Sequence, residues 1–175
     1  MLPWIPLAPP SAFNLFRPLC ETFPLDKSGI AGNFREMKEL EEGSELKLDF
    51  TKLQKIAKTD SQVVPVVVQD ADSHEVLVVA YANQQALDRT LKTGTATFWS
   101  TSRNELWIKG ATSGDTLQIV DIRVNCEQNS LLYLVRMLGG GVCHTKDAHG
   151  HTRKTCYYRS LKDGKLNFLE GQTPS

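Results

Sequence analysis

From Ser44 onward the chain runs in short segments of alternating or continuous apolar residues separated by polar turns. Leu46, Leu48 and Phe50 alternate with polar neighbours, and residues 52–58 then read as a short helix. Residues 63–68 are a β-branched run interrupted by Pro65. Asp70, Asp72 and Ser73 follow as a turn, and residues 76–81 form a second apolar run, so the pattern predicts a β-hairpin. Asn83 is a good N-cap, because its side chain can accept an early backbone N–H, and the helix it starts, 84–92, stops before Gly94. Residues 95–100 and 106–109 read as strands joined by a polar turn, and 111–116 as a Gly/Ser loop. Strand 117–125 puts Ile119, Asp121, Arg123 and Asn125 on one face and Val120, Ile122 and Val124 on the other. Residues 131–137 form a further strand that breaks at Gly139–Gly140–Gly141. Runs 157–160 and 165–169 close around Asp163–Gly164. Many short strands with a few short helices, and neither internal repeat nor βαβ alternation, predict an α+β fold built mostly on antiparallel sheet.

The 175 residues suit one domain plus an extension. Twenty basic and twenty acidic side chains cancel, which argues against a nucleic-acid binder that would need a basic surplus facing phosphate. The first twenty residues are apolar but carry five prolines, which cannot continue a helix, so neither a membrane span nor a secretory signal is expected. Residues 1–43 read as a poorly ordered N-terminal extension, of which 1–36 are dispensable or lie ahead of a true start at Met37, and residues 44–170 as the folded domain. Four cysteines are too few for a disulfide scaffold, and a reducing, cytoplasmic setting is expected.

Three of those cysteines, Cys126, Cys143 and Cys156, fall in the C-terminal third, and Cys143 opens the run Cys-His-Thr. Three thiolates suit Zn²⁺ and leave one coordination position for water, the arrangement of a catalytic rather than a structural site. His144, beside one thiolate, is placed to move a proton. The alternative is that these cysteines are small buried hydrophobes. In 124–129, an extended chain would put Asn125, Glu127 and Asn129 on one face as oxygen donors of the kind Mg²⁺ prefers, with Cys126 on the other. Two further segments each join a tryptophan, hydroxyls and a cation: Trp99, Ser100, Ser102 and Arg103, then Trp107, Lys109, Gly110, Thr112, Ser113 and Gly114. Such sets suit a phosphate site, although a tryptophan also serves as core filling.

The runs at 66–83, 98–116 (FWSTSRNELWIKGATSGDT), 124–135 (VNCEQNSLLYLV), 143–145 (CHT) and 156–161 (CYYRSL) together resemble the phosphoribosyl-AMP cyclohydrolase family of histidine biosynthesis, over roughly residues 46–161. The resemblance implies zinc-dependent hydrolysis of the N1–C6 bond of the adenine ring of 1-(5-phosphoribosyl)-AMP. It also implies a homodimer with zinc shared between subunits, and zinc ligands at Cys126, Cys143 and Cys156. His144 and Lys109 are the expected catalytic groups. Trp99, Ser100, Ser102, Arg103, Trp107, Lys109, Gly110, Thr112, Ser113, Gly114 and Thr145 are the expected substrate contacts. The expected partners are this phosphorylated purine and a second copy of the chain, with no nucleic acid and no membrane.

Two departures from the family pattern stand out. Three aspartates that bind Mg²⁺ in the family correspond here to Asn125, Glu127 and Asn129, which predicts weak Mg²⁺ dependence or none. Cys143 and Cys156 are thirteen positions apart, longer than the family's rule, and the insert carries Asp147, His149, His151, Arg153 and Lys154. A longer loop costs little, so zinc binding should survive. The insert reads as a solvated loop touching phosphate, with His149 or His151 as a lesser candidate for a fourth ligand. No segment for the preceding pyrophosphohydrolase step follows Gln172, so a single-function form is expected. Other readings are a zinc hydrolase of the same scaffold acting on a different purine nucleotide, and a non-catalytic metal-binding module. The zinc nucleobase deaminase signature is absent.

Overall fold

The computed structural model describes residues 27–174. In chain order the elements are α1 (Lys27–Glu42), α2 (Lys52–Ala57), β1 (Val64–Asp70), β2 (Val76–Ala82), α3 (Gln84–Thr93), β3 (Thr97–Ser100), β4 (Glu105–Ile108), β5 (Leu117–Val124), β6 (Leu131–Met137), β7 (Arg159–Lys162) and β8 (Lys165–Phe168). This is the expected α+β architecture with mostly antiparallel pairing.

The centre is a four-stranded sheet in the order β2-β1-β6-β5. The β1–β2 and β5–β6 pairs are antiparallel, as hairpin signals predict. The two hairpins join through a parallel pairing of β1 with β6, with Val66 opposite Leu131 and Asp70 opposite Val135. No local pattern announces that pairing. Alternation then sends Val66, Val68, Leu77, Leu117, Tyr133 and Val135 into a fully buried layer. Helix α3 covers this layer through Ala86 and Thr90. The Asn83 side chain caps it by accepting the Ala86 N–H at 2.9 Å, as expected. Thr90 ties the helix to β3: its hydroxyl accepts the Thr97 N–H at 3.0 Å.

The β3–β4 hairpin is a separate ribbon with Phe98 opposite Trp107 and Trp99 opposite Leu106. Side chains alternate across a strand, so Phe98 and Trp107 share one face and Trp99 the other. Phe98 is fully buried, its ring 5.4 Å from Trp107 and 6.0 Å from Tyr133.

Two segments differ from expectation. The alternation at Leu46, Leu48 and Phe50 forms no strand: all three are exposed, and the ladder to β8 ends at an isolated bridge from Glu45 to Lys165. The insert after Cys143 is solvated only at its tip, residues 146–151. It folds back as a hairpin, with the Cys143 N–H donating to the Arg153 carbonyl at 3.0 Å and the Arg153 N–H to the Thr145 carbonyl at 3.2 Å. Gly141 permits the close approach, since a Cβ there would lie 2.4 Å from the Arg153 carbonyl oxygen. Of the N-terminal extension, residues 1–26 lie outside the described residues and 27–42 form α1.

Candidate active site

The folded-back insert solves a geometric problem for the two distal thiols. Cys143 leaves the glycine triplet and Cys156 ends the returning arm, so thirteen positions of sequence close into one short hairpin. The Cys156 N–H donates to the Leu77 carbonyl at 2.8 Å, and the Thr155 hydroxyl to the Val76 carbonyl at 2.9 Å, which pins the arm to the edge of β2. The Thr145 hydroxyl lies 3.0 Å from the Cys143 sulfur, and the Thr145 N–H donates to the same sulfur. A hydrogen bond with Cys156, then those from Thr145 and the nearby His144, hold the Cys143 thiol well below its ordinary range, to about 5. The same pairing, with burial, pushes the Cys156 thiol up. Two neighbouring sulfurs, one of them favoured as thiolate, are a donor set that suits a thiophilic cation.

Lys109 is only 6% exposed and acts electrostatically on Cys156 and on Asp115. Asp115 escaped the reading of the sequence, although it follows directly on the Ser113–Gly114 pair of the Gly/Ser loop. Its carboxylate accepts the Gly140 N–H at 2.9 Å and so fastens the loop after Lys109 to the triplet before Cys143. Burial works against its charge, yet hydrogen bonds from Ser113 and Gly140, with Lys109 and Lys146 nearby, hold the carboxyl below its ordinary value. Gly110 has φ +79°, and a Cβ there would meet the Asp115 backbone at 2.4 Å, so this corner admits only glycine.

These pieces enclose a cavity of about 510 Å³ lined by Arg103, Trp107, Lys109, Gly110, Thr112, Ser113, Asp115, Cys143, His144 and Lys146. The structure therefore gathers much of the predicted set in one place. Thr145 is turned inward onto the Cys143 sulfur. Trp99 is elsewhere. It lines a larger hollow of about 1120 Å³ with Asn104, Val124 and Gln128, and its indole N–H is buried without a partner. Ser100 and Ser102 hydroxyls face each other at 3.4 Å, and the Arg103 side chain bonds to Ser100 and Glu105. His149 and His151 stand exposed at the tip of the insert, ring to ring at 6.2 Å, with His151 against Asp147. Arg153, expected in a solvated loop, has a fully buried side chain.

The third thiol is not part of this cluster. Cys126 is exposed in the turn between β5 and β6, and among the described residues no three His, Cys, Asp or Glu side chains stand close enough to hold a metal.

Profile comparison with known families matches residues 78–158 to phosphoribosyl-AMP cyclohydrolase. Curated phosphoribosyl-AMP cyclohydrolases are similar over a longer span. The one from Hyphomonas neptunium is 42% identical over 109 residues, 62% of this chain and 78% of the relative. The chain belongs to the phosphoribosyl-AMP cyclohydrolase family. Others that bear this out are the relative from Desulfatibacillum aliphaticivorans, 40% identical over 61% of this chain and 81% of its own length, and that from Halobacterium salinarum, 50% identical over 57% and 71%. The lining of the 510 Å³ cavity from Arg103 to Lys146 falls within the segment that matches the phosphoribosyl-AMP cyclohydrolase profile, and α1 falls outside it.

The oxygen donors beside Cys126 do not fit Mg²⁺. Asn125 Oδ1 accepts the N–H groups of Asn129 and Ser130, each at 2.9 Å. Asn129 Oδ1 accepts from the Asn125 amide at 2.7 Å, and Glu127 Oε2 from the Asn129 amide at 2.8 Å. Each of the three side chains therefore spends an oxygen on hydrogen bonds within the turn, and only one carries charge, whereas a hard dication selects carboxylates.

Proposed function

We propose that this chain hydrolyses the N1–C6 bond of the adenine ring of 1-(5-phosphoribosyl)-AMP, as a zinc-dependent homodimer. The observation that carries the proposal is the convergence on one cavity of Lys109, the hydroxyl- and glycine-rich loop after it, and the Cys143–His144 corner, in a chain 42% identical to a phosphoribosyl-AMP cyclohydrolase.

The thiolate–thiol pair of Cys143 and Cys156 fits zinc, and Cys126 would complete the ligand set. Since no single chain gathers the three, the third would come from a second copy: Cys126 of one protomer beside Cys143 and Cys156 of its partner. When bound there, zinc supplies Lewis acidity that activates water near neutral pH. The protein's own groups do the rest. Arg103 and Lys109, with the Thr112 and Ser113 hydroxyls, are chemically matched to phosphate; the Gly114 N–H is spent on the Gly110 carbonyl at 2.8 Å and shapes the turn instead. Trp107 offers an apolar wall. Water adds at C6, its oxygen becomes the carboxamide oxygen, the N1–C6 bond breaks, and N1 gains a proton. His144, at the cavity mouth, is placed to take the water's proton and pass it on. Asp115 keeps the phosphate-side loop and the thiol-side loop in register.

The test is direct. Zinc-loaded protein mixed with 1-(5-phosphoribosyl)-AMP should convert the adenine chromophore to the ring-opened carboxamide, and the gene should rescue a histidine auxotroph lacking this step. A folded, zinc-loaded protein that leaves the substrate spectrum unchanged would sink the assignment.

A second expectation concerns the turn at 125–129. Adding Mg²⁺ should leave the melting temperature of the parent unchanged. The double variant N125D/N129D crowds three carboxylates into one turn and removes two amide donors. It should melt lower without Mg²⁺ and recover by about 5 °C when Mg²⁺ saturates it. A parent protein that itself gains stability from Mg²⁺ would contradict the account of the turn.

A further inference from the structure

Helix α1 lies outside the segment that matches the family, yet its last turn is built into the site. Glu41 Oε1 lies 2.7 Å from His144 Nε2. A carboxylate oxygen only accepts, so this contact puts a ring proton on Nε2 and orients the ring; in the neutral ring the lone pair then sits on Nδ1. His144 is otherwise a loosely held side chain, 76% exposed, while Glu41 is 28% exposed and better anchored.

The anchoring comes from the chain's C-terminal third. The Tyr158 hydroxyl donates to the Glu41 carbonyl at 2.8 Å. Arg159 donates to the carbonyls of Leu40 and Gly43, both at 3.0 Å, which satisfies acceptors that a helix end leaves open. Arg153 pairs with Glu42 at 3.3 Å, donates to the Thr173 carbonyl at 2.7 Å, and lies 4.3 Å over the Tyr158 ring. The Glu42 and Arg153 side chains are 9% and 0% exposed. An exposed ion pair alone would be weak evidence. Here the carboxylate is delivered by a helix end fixed at four further points, one of them a buried pair. The insert between the thiols supplies Arg153 and the N-terminal extension supplies Glu42, so these two features of the chain lock onto each other.

We propose that Glu41 is a positioning residue for the reaction: the end of α1 abuts His144 from outside the cavity, so that Glu41 fixes the ring orientation and the Nε2–H tautomer of His144. This rests on the role given to His144 above, and two independent readouts separate the two ideas.

The experiment uses the full-length, zinc-loaded protein and its E41A, E41Q and E36Q variants, with 1-(5-phosphoribosyl)-AMP as substrate. E41A should lower kcat about 10- to 100-fold with KM within twofold of the parent, at unchanged zinc content. E41Q, whose amide oxygen can still accept, should fall between E41A and the parent. E36Q, on the exposed part of the same helix, should match the parent. Long-range ¹H–¹⁵N spectra of the His144 ring should show the Nε2–H form in the parent and a mixture of tautomers in E41A. An E41A protein with parental kcat, or with faster turnover because the helix merely covers the site, overturns the proposal. So does an unchanged His144 spectrum in E41A, and that readout decides even if the parent fails to turn over this substrate.

Discussion

A Cys126→Ser protein mixed with a Cys143→Ser protein is expected to recover activity that neither has alone. Each substitution removes one of three thiols, and in the proposed homodimer each singly substituted protein then carries only defective sites. Loss should be roughly 10³-fold or more, because the activated water is lost with the ligand set. In a mixed dimer one site combines both lesions, and the other combines intact Cys126 from one protomer with intact Cys143 and Cys156 from the next. After subunit exchange half of the dimers are mixed and half of their sites intact, so activity should return to about a quarter of the parent value. The expectation comes from two observations: the hairpin between Cys143 and Cys156 folds back so that its two arms are hydrogen-bonded, and Cys126 joins no cluster of three potential ligands among the described residues. A mixture that stays inactive while both proteins exchange subunits would show that the three thiols do not meet across a dimer. Zinc content gives an independent reading, since the mixture should hold about a quarter of the parent's tightly bound metal.

The second large effect is on stability. Phe98→Ala should cost about 3–5 kcal/mol, a substantial part of the 5–15 kcal/mol typical of a domain. Phe98 is fully buried and touches both Trp107 on its own hairpin and Tyr133 on the central sheet. It is the aromatic contact by which a two-stranded ribbon, unable to bury itself alone, is held to the four-stranded sheet. The melting temperature should fall on the order of 10 °C, and urea titration gives the free energy directly. Phe98→Leu, which keeps most of the volume, should lose less than half as much. A loss below about 1 kcal/mol for Phe98→Ala would mean that the ribbon is held by other contacts. Because Lys109 follows directly on β4, activity should fall before global unfolding as the hairpin loosens.

Much of this was legible in the sequence, for local reasons. The strands β1, β2, β5 and β6 follow from β-branched runs and period-two alternation between turn residues, and α3 from its Asn83 cap. The parallel contact of β1 with β6 was not legible, because it depends on which edges remain free after each hairpin has formed. The amphipathic-looking stretch Leu46–Leu48–Phe50 misled, since alternation makes a strand only where a partner edge exists, and none is offered there. At the site, Lys109, Cys143 and His144 were singled out by residue type and sequence neighbours, and the fold brings all three to one cavity. Glu41, Arg153 and Asp115 were not: Glu41 meets His144 across 103 positions of sequence and Arg153 meets Glu42 across 111. The amide network of Asn125 and Asn129 shows the reverse case. Loss of charge was visible in the sequence, while the internal hydrogen bonds that replace cation contacts required coordinates.

The parallel strand pair has a consequence for how the chain matures. β6 begins at Leu131, sixty-one positions after β1 ends at Asp70. At about 5–20 residues per second, ribosomes need roughly 3–12 s to make the intervening segment. During that interval the β1–β2 hairpin presents the backbone edge of Val66–Asp70 with no partner, and it is rich in valine. An open apolar edge of this kind recruits foreign strands, and long-range closure is slow. The charged groups that crowd the hairpin's turn, Asp70, Asp72 and Glu75, guard one end of that edge. Chaperone demand should therefore peak before Met137 emerges and collapse once β6 docks.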